Sequence, residues 1–193
     1  MLIISAFNGV FWALLLLMLL VLTAGTLLLR DKSQAVKERA LIIWFVYTLI
    51  MFWVYKYMLS LDTAYAQILL EAGKGTGVFN WFDELPLQLC NINLMLIPLG
   101  LWLKNKGLLS FSYFMAPLGA IMALMMPSAG FDGYSLLLPR MLGFYFTHLN
   151  LLIGGLALST LGIYRPRFKD LPRTALITGC MSFLVFLINM LLR

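Results

Sequence analysis

Six apolar stretches of 18 to 24 residues fill most of this chain. They run from Phe7 to Leu29, Ala40 to Leu61, Pro86 to Leu103, Leu108 to Pro127, Arg140 to Ile163 and Thr174 to Leu192. A bilayer's hydrocarbon core is about 30 Å thick, and an α-helix crosses it in about 20 residues. Lipid offers an open backbone no hydrogen-bond partner, so each stretch is predicted to be helical. The chain reads as one integral membrane domain over residues 1–193, an all-α polytopic bundle with about six transmembrane helices. Composition agrees: 62% of the 193 residues are hydrophobic and 11% charged, against about 25% charged in a soluble domain. The first stretch is expected to remain as a span. No basic region precedes it, and its apolar run exceeds the roughly 7–15 residues of a secretory signal.

The basic residues set the orientation. Arg30, Lys32, Lys37 and Arg39 follow the first stretch, Lys104 and Lys106 the third, and Arg165, Arg167, Lys169 and Arg173 the fifth. Ten of the 14 basic residues thus fall on alternate connections. The positive-inside rule makes these cytoplasmic and puts both termini on the extracytoplasmic side. The connection from Asp62 to Leu85 is then outside, and its segment from Glu71 to Val78 is turn-rich and expected to be mobile. Trp81 and Phe82 after it are expected to anchor in the membrane interface. The net charge of +6 is accounted for by topology and contact with anionic headgroups, so no nucleic-acid partner is expected. Two cysteines without a CxxC and a single His argue against a zinc site or a dithiol centre. No metal or cofactor is expected.

Strongly polar side chains are costly inside a membrane, so their depth is informative. Asn8, Lys56, Gln88, Cys90, Asn91, Asn93, His148, Asn150 and Asn189 all fall in the outer halves of their stretches. The inner halves hold nothing stronger than Ser, Thr and Tyr apart from Cys180. A polar cavity open to the outer leaflet explains this bias. The alternative is that Asn and Gln join helices by side-chain hydrogen bonds, with Lys56 snorkelling outward.

Within this set Cys90 and His148 form a candidate catalytic pair. At 1.5 Å rise per residue Cys90 lies about 6 Å below Pro86 and His148 about 12 Å below Arg140, a gap that helix tilt and side-chain reach can close. Thiolate is the reactive form of cysteine, and a neighbouring imidazole generates it. Attack on an ester or thioester would give an acyl-cysteine, and the developing oxyanion needs donors. Asn93, three residues after Cys90 on the same helical face, is the first candidate donor. Tyr145 shares the face of His148 and is the candidate to orient its ring, whereas Asn150 points away. Gln88, Asn91, Lys56 and Asn189 are candidate substrate-binding or supporting residues. Cys180 lies too deep to pair with Cys90, since a disulfide needs Cα atoms within about 7 Å, and is read as a packing residue.

The run Glu84-Leu-Pro-Leu-Gln-Leu-Cys90-Asn91 resembles the motif that opens a central helix in the transmembrane protein 164 family and its bacterial YwaF-like relatives. The segments from Phe114 to Pro127 and from Phe144 to His148 fit the same pattern, so the resemblance spans roughly Trp81 to Ala175. It implies a membrane acyltransferase that moves a fatty acyl chain between glycerophospholipids and lysophospholipids, with Cys90 as nucleophile and His148 as base. It further implies membrane lipids as partners, a bacterial plasma membrane as location, and a further polar segment and helix beyond Arg193. Bacterial relatives carry His where this chain has Gln88. Two rival readings stay open on the residues alone: the substrate-binding component of a small-solute importer, and a scaffold.

Overall fold

The computed structural model of the protein describes residues 2–192 apart from Lys74, Gly75, Asp83 and Ala129. The centre of the turn-rich outer connection and the terminal Arg193 therefore lie outside the described residues. Seven α-helices form among those described: α1 (Gly9–Leu29), α2 (Gln34–Ser60), α3 (Thr63–Glu71), α4 (Asn93–Trp102), α5 (Lys106–Met125), α6 (Pro139–Thr160) and α7 (Leu171–Leu192). A two-residue ribbon, β1 (Ile3–Ile4) with β2 (Tyr134–Ser135), and one 3-10 turn complete the regular structure. The helices α1, α2, α5, α6 and α7 are each long and apolar enough to cross a membrane.

The expected third span is not one continuous helix. α4 holds ten residues, about 15 Å of rise, and Pro86–Ile92 runs before it as a series of turns. Irregular backbone at membrane depth is tolerated where protein or a wet cavity surrounds it. Here Cys90, Asn91, Ile92 and Asn93 are all buried, and α4 is wedged among α2, α5 and α6. A second difference lies in the outer connection, part of which folds as α3. Asp62 caps that helix by accepting a hydrogen bond from the Tyr65 N–H at 3.1 Å, satisfying a donor that a helix start leaves free.

The long elements alternate in direction. β1 pairs antiparallel with β2, which sets the N-terminus beside the α5–α6 connection. At the opposite end the Thr26 and Thr160 hydroxyls meet at 3.1 Å, and those of Ser110 and Thr174 at 2.5 Å. The ten basic residues that follow the first, third and fifth stretches collect at this second end, which the positive-inside rule makes cytoplasmic.

α6 is the hub and packs on α1, α2, α4 and α5. α7 is peripheral. Its Ile177, Met181 and Val185 lie against Ile92, Leu96 and Phe111, and most of its surface is left to lipid. Cys180, read from the sequence as a packing residue, is a free, exposed thiol there. The outer end is closed by a cap. Arg140 donates from Nη1 to Asp62 at 2.7 Å and from Nε to the Gly130 carbonyl at 3.1 Å. Phe131 in the same connection stacks on Phe144, centroids 4.7 Å apart. Trp81 and Phe82 lie exposed at this end, as interface anchors would.

Candidate active site

Cys90 and His148 come together beneath this cap. The Cys90 sulfur lies 4.0 Å from His148 Nε2, and the contact is buried. His148 Nδ1 lies 2.8 Å from the Phe144 carbonyl one turn back on α6. A carbonyl only accepts, so the proton of the neutral ring sits on Nδ1 and the Nε2 lone pair faces the thiol. The ring is also held by Phe144, centroids 4.4 Å apart. The backbone carbonyl thus does the orienting that the sequence assigned to Tyr145. The Tyr145 hydroxyl is buried and has no hydrogen-bond partner among the described residues.

The interruption before α4 gives Cys90 its second environment. Ile92, Asn93 and Leu94 donate to the carbonyls of Gln88, Cys90 and Asn91 at 3.0–3.1 Å. Cys90 therefore stands in the first turn of a helical run, where backbone N–H groups lack intrahelical acceptors. The N–H groups of Cys90 and Asn91 belong to that turn, next to the thiol. Such a terminus favours negative charge. Side-chain acceptors surround the thiol as well, with Asn91 Oδ1 at 3.8 Å and Gln88 Oε1 at 4.0 Å.

Gln88, Asn91 and His148 form one wall of a cavity of about 250 Å³, with Cys90 directly behind them. The same cavity is lined by Lys56 and Glu84, which form a largely buried ion pair. Glu84 also accepts from the Tyr65 hydroxyl at 3.1 Å. Burial first, then the Glu84 charge, push the Tyr65 phenol far above its ordinary range, so it stays a donor. Lys56 lies 4.9 Å from the Tyr55 ring centroid and 5.3 Å from that of Phe52, within cation–π range. The Thr147 hydroxyl, next to His148, belongs to the same cavity and has no partner among the described residues.

The candidate residues therefore divide. Lys56, Gln88, Asn91 and His148 converge on the cavity, with Cys90 against it. Asn93 is fully buried, and its amide donates to the Leu89 carbonyl at 2.7 Å, which braces the turn carrying Cys90; Asn91 occupies the cavity wall in its place. Asn8 caps α1 by accepting from the Phe11 N–H at 2.9 Å. Asn150 donates back to Phe146 at 2.7 Å. Asn189 is exposed on α7, away from the cavity. Among the described residues, none of the hydrogen bonds made by Asn8, Asn91, Asn93 or Asn150 joins one long helix to another. Sequence reasoning missed Glu84 as the partner of Lys56, although a lysine at membrane depth needs a counter-charge. It also missed Tyr55 and Thr147, which carry no polar signal in an aromatic, β-branched helix.

Gly119 on α5 positions the thiol. A Cβ built there would meet the Cys90 Cβ at 2.8 Å and its Cα at 3.4 Å. Gly119→Ala is therefore expected to push Cys90 off His148. Modification of Cys90 by a lipid-like electrophile should slow by about tenfold, as for a displaced catalytic group, while detergent-solubilised yield stays close to wild type. An unchanged rate would mean that the turn absorbs the methyl.

Neither a curated protein nor a solved structure matches the chain. The sequence model of the TMEM164 family matches residues 3–193, which takes in every helix and the cavity described above. This integral membrane protein therefore belongs to the TMEM164 family.

Proposed function

We propose that the protein is a membrane acyltransferase that moves a fatty acyl chain between glycerophospholipids and lysophospholipids through acyl-Cys90. The observation that carries this reading is the buried Cys90–His148 contact of 4.0 Å at the edge of a polar cavity near the outer membrane face. Apo contacts of this kind are commonly long and tighten with substrate. The Cys90 proton passes to His148 Nε2 as sulfur bonds to the ester carbonyl carbon. The backbone N–H groups of Cys90 and Asn91, in the first turn of the helical run, are the donors offered to the oxyanion. The carbon–oxygen bond to glycerol then breaks, and the imidazolium returns its proton to the departing lysophospholipid oxygen. In the second half His148 takes the proton of an acceptor hydroxyl, which attacks the thioester and releases the thiol. Water in that position gives a free fatty acid. Lys56 supplies positive charge for the lipid phosphate. Outer-leaflet action follows from the orientation of the chain, and a bacterial plasma membrane rests on the resemblance to bacterial relatives.

The test is direct. Purified protein in liposomes containing an alkyne-tagged acyl phospholipid should acquire the tag at Cys90, and hydroxylamine should release it as a thioester does. No tag on a folded protein would overturn the reading. The rival, a small-solute binding component, rests on the polarity of the same cavity and has no use for the thiol, so Cys90→Ser would leave solute binding intact.

A further inference from the structure

The catalytic cavity is polar, yet a fatty acyl ester must bring a long apolar tail to it. On the lipid-facing side of the α2–α6 seam lies an almost wholly apolar groove of about 250 Å³, lined by Met51, Val54, Met58, Leu142, Gly143 and Tyr55. Tyr55 also lines the cavity. On α2, Phe52 and Lys56 face the cavity, Met51, Val54 and Met58 face the groove, and Tyr55 stands on the boundary. On α6, Gly143 in the groove lies one turn from Thr147 in the cavity, on the same helical face.

Gly143 makes this partition possible. A Cβ at that position would meet Tyr55 Cγ at 2.1 Å and its Cβ at 2.5 Å, so the ring lies flat against bare helix backbone. Among the described residues the Tyr55 hydroxyl makes no hydrogen bond, and its ring contacts are with Phe52 and the Lys56 ammonium. A larger apolar hollow, about 520 Å³ between α1, α5 and α6, shares no lining residue with the cavity.

We infer that the α2–α6 groove is the acyl-chain subsite, and that Tyr55 is the movable partition through which the ester end of an outer-leaflet lipid reaches Cys90. This rests on the acyl-cysteine reading and adds the route by which the chain enters. The groove supplies apolar surface to the tail, the cavity supplies Lys56, Thr147 and the amides to the head, and the ester lies where the two meet.

The experiment compares acylation of Cys90 by two thioesters of the same water-soluble thiol, one palmitoyl and one acetyl, using purified full-length protein in lipid nanodiscs. Leu142 is 47% exposed, so Leu142→Trp fills the groove without entering the core. The palmitoyl-to-acetyl rate ratio is expected to fall by roughly tenfold in this variant. Met51→Trp, from the opposite wall, should act in the same direction. Tyr55→Ala, which joins groove to cavity, should raise acceptance of a palmitoyl chain bearing a bulky pyrene end group. Leu184→Trp, on the lipid face of α7, is the control and should leave the ratio unchanged. Acetylation in each variant reports that the site is folded. A ratio unmoved by both groove-filling variants overturns the route while leaving the acyl-cysteine intact. Failure of the wild type to acetylate Cys90 overturns the acyl-cysteine reading, and the route falls with it.

Discussion

Cys90→Ser is expected to lower phospholipid acyl transfer by roughly a thousandfold or more, because a hydroxyl is much the weaker nucleophile at neutral pH. The surroundings should hardly change, since the thiol makes only long contacts of 3.8–4.0 Å and serine is the smaller residue. His148→Ala is expected to fall to a similar level, for without Nε2 nothing takes the thiol proton. The double variant should fall no further, because residues acting as one unit are not additive. His148→Ala also opens space beside Phe144, so its fold needs checking through the thermal midpoint in detergent. Cys180→Ser, on the exposed face of α7, should be silent. Initial rates of tagged-acyl transfer between liposomal lipids measure all four. Full activity in Cys90→Ser would exclude the acyl-cysteine route. Additive losses in the double variant would mean that Cys90 and His148 act separately.

How far this site was legible in the sequence depends on the kind of signal each residue carries. Apolar length and basic connections located the membrane helices, because lipid imposes the same hydrogen-bond demand on every span. The depth rule brought Cys90 and His148 to one level, and they do meet. It failed where it assumed an unbroken helix. From Pro86 to Ile92 hydropathy reads as the start of a span, yet turns stand there, buried from Cys90 to Ile92. That break turned Asn93 back onto the Leu89 carbonyl and left Asn91 on the cavity wall. Tyr145 failed for a related reason. Helical spacing placed it beside His148 but carried no information that a main-chain carbonyl would hold the ring first. Asn189 was legible by depth alone, and depth does not say which face of α7 meets protein. The partners of the charged residues were the least legible. Lys56 with Glu84 and Asp62 with Arg140 are 28 and 78 residues apart, and no local pattern joins them.

The Lys56–Glu84 pair separates stability from recognition. The side chains are only 9% and 13% exposed, so removing one charge strands the other. Glu84→Gln keeps the shape but leaves the Lys56 ammonium without its counter-charge, at an expected cost of about 3 kcal/mol. Replacing both by neutral residues is different, because a buried ion pair exchanged for groups of similar volume is often neutral or stabilising. Lys56→Met with Glu84→Gln should therefore recover most of the lost stability, read as the thermal midpoint in nanodiscs. Activity should not recover with it. If Lys56 holds the lipid phosphate, the double variant still acylates Cys90 from an uncharged acetyl thioester but transfers acyl chains from phospholipid at least about tenfold more slowly, the loss expected when a charge-assisted hydrogen bond to substrate is missing. Lys56 and His148 line the same cavity, so the loss should appear as a raised KM for phospholipid more than as a lowered kcat for the thioester. A double variant that is stable and handles phospholipid as well as the wild type would reduce the pair to a structural bond between α2 and the segment leading to Cys90.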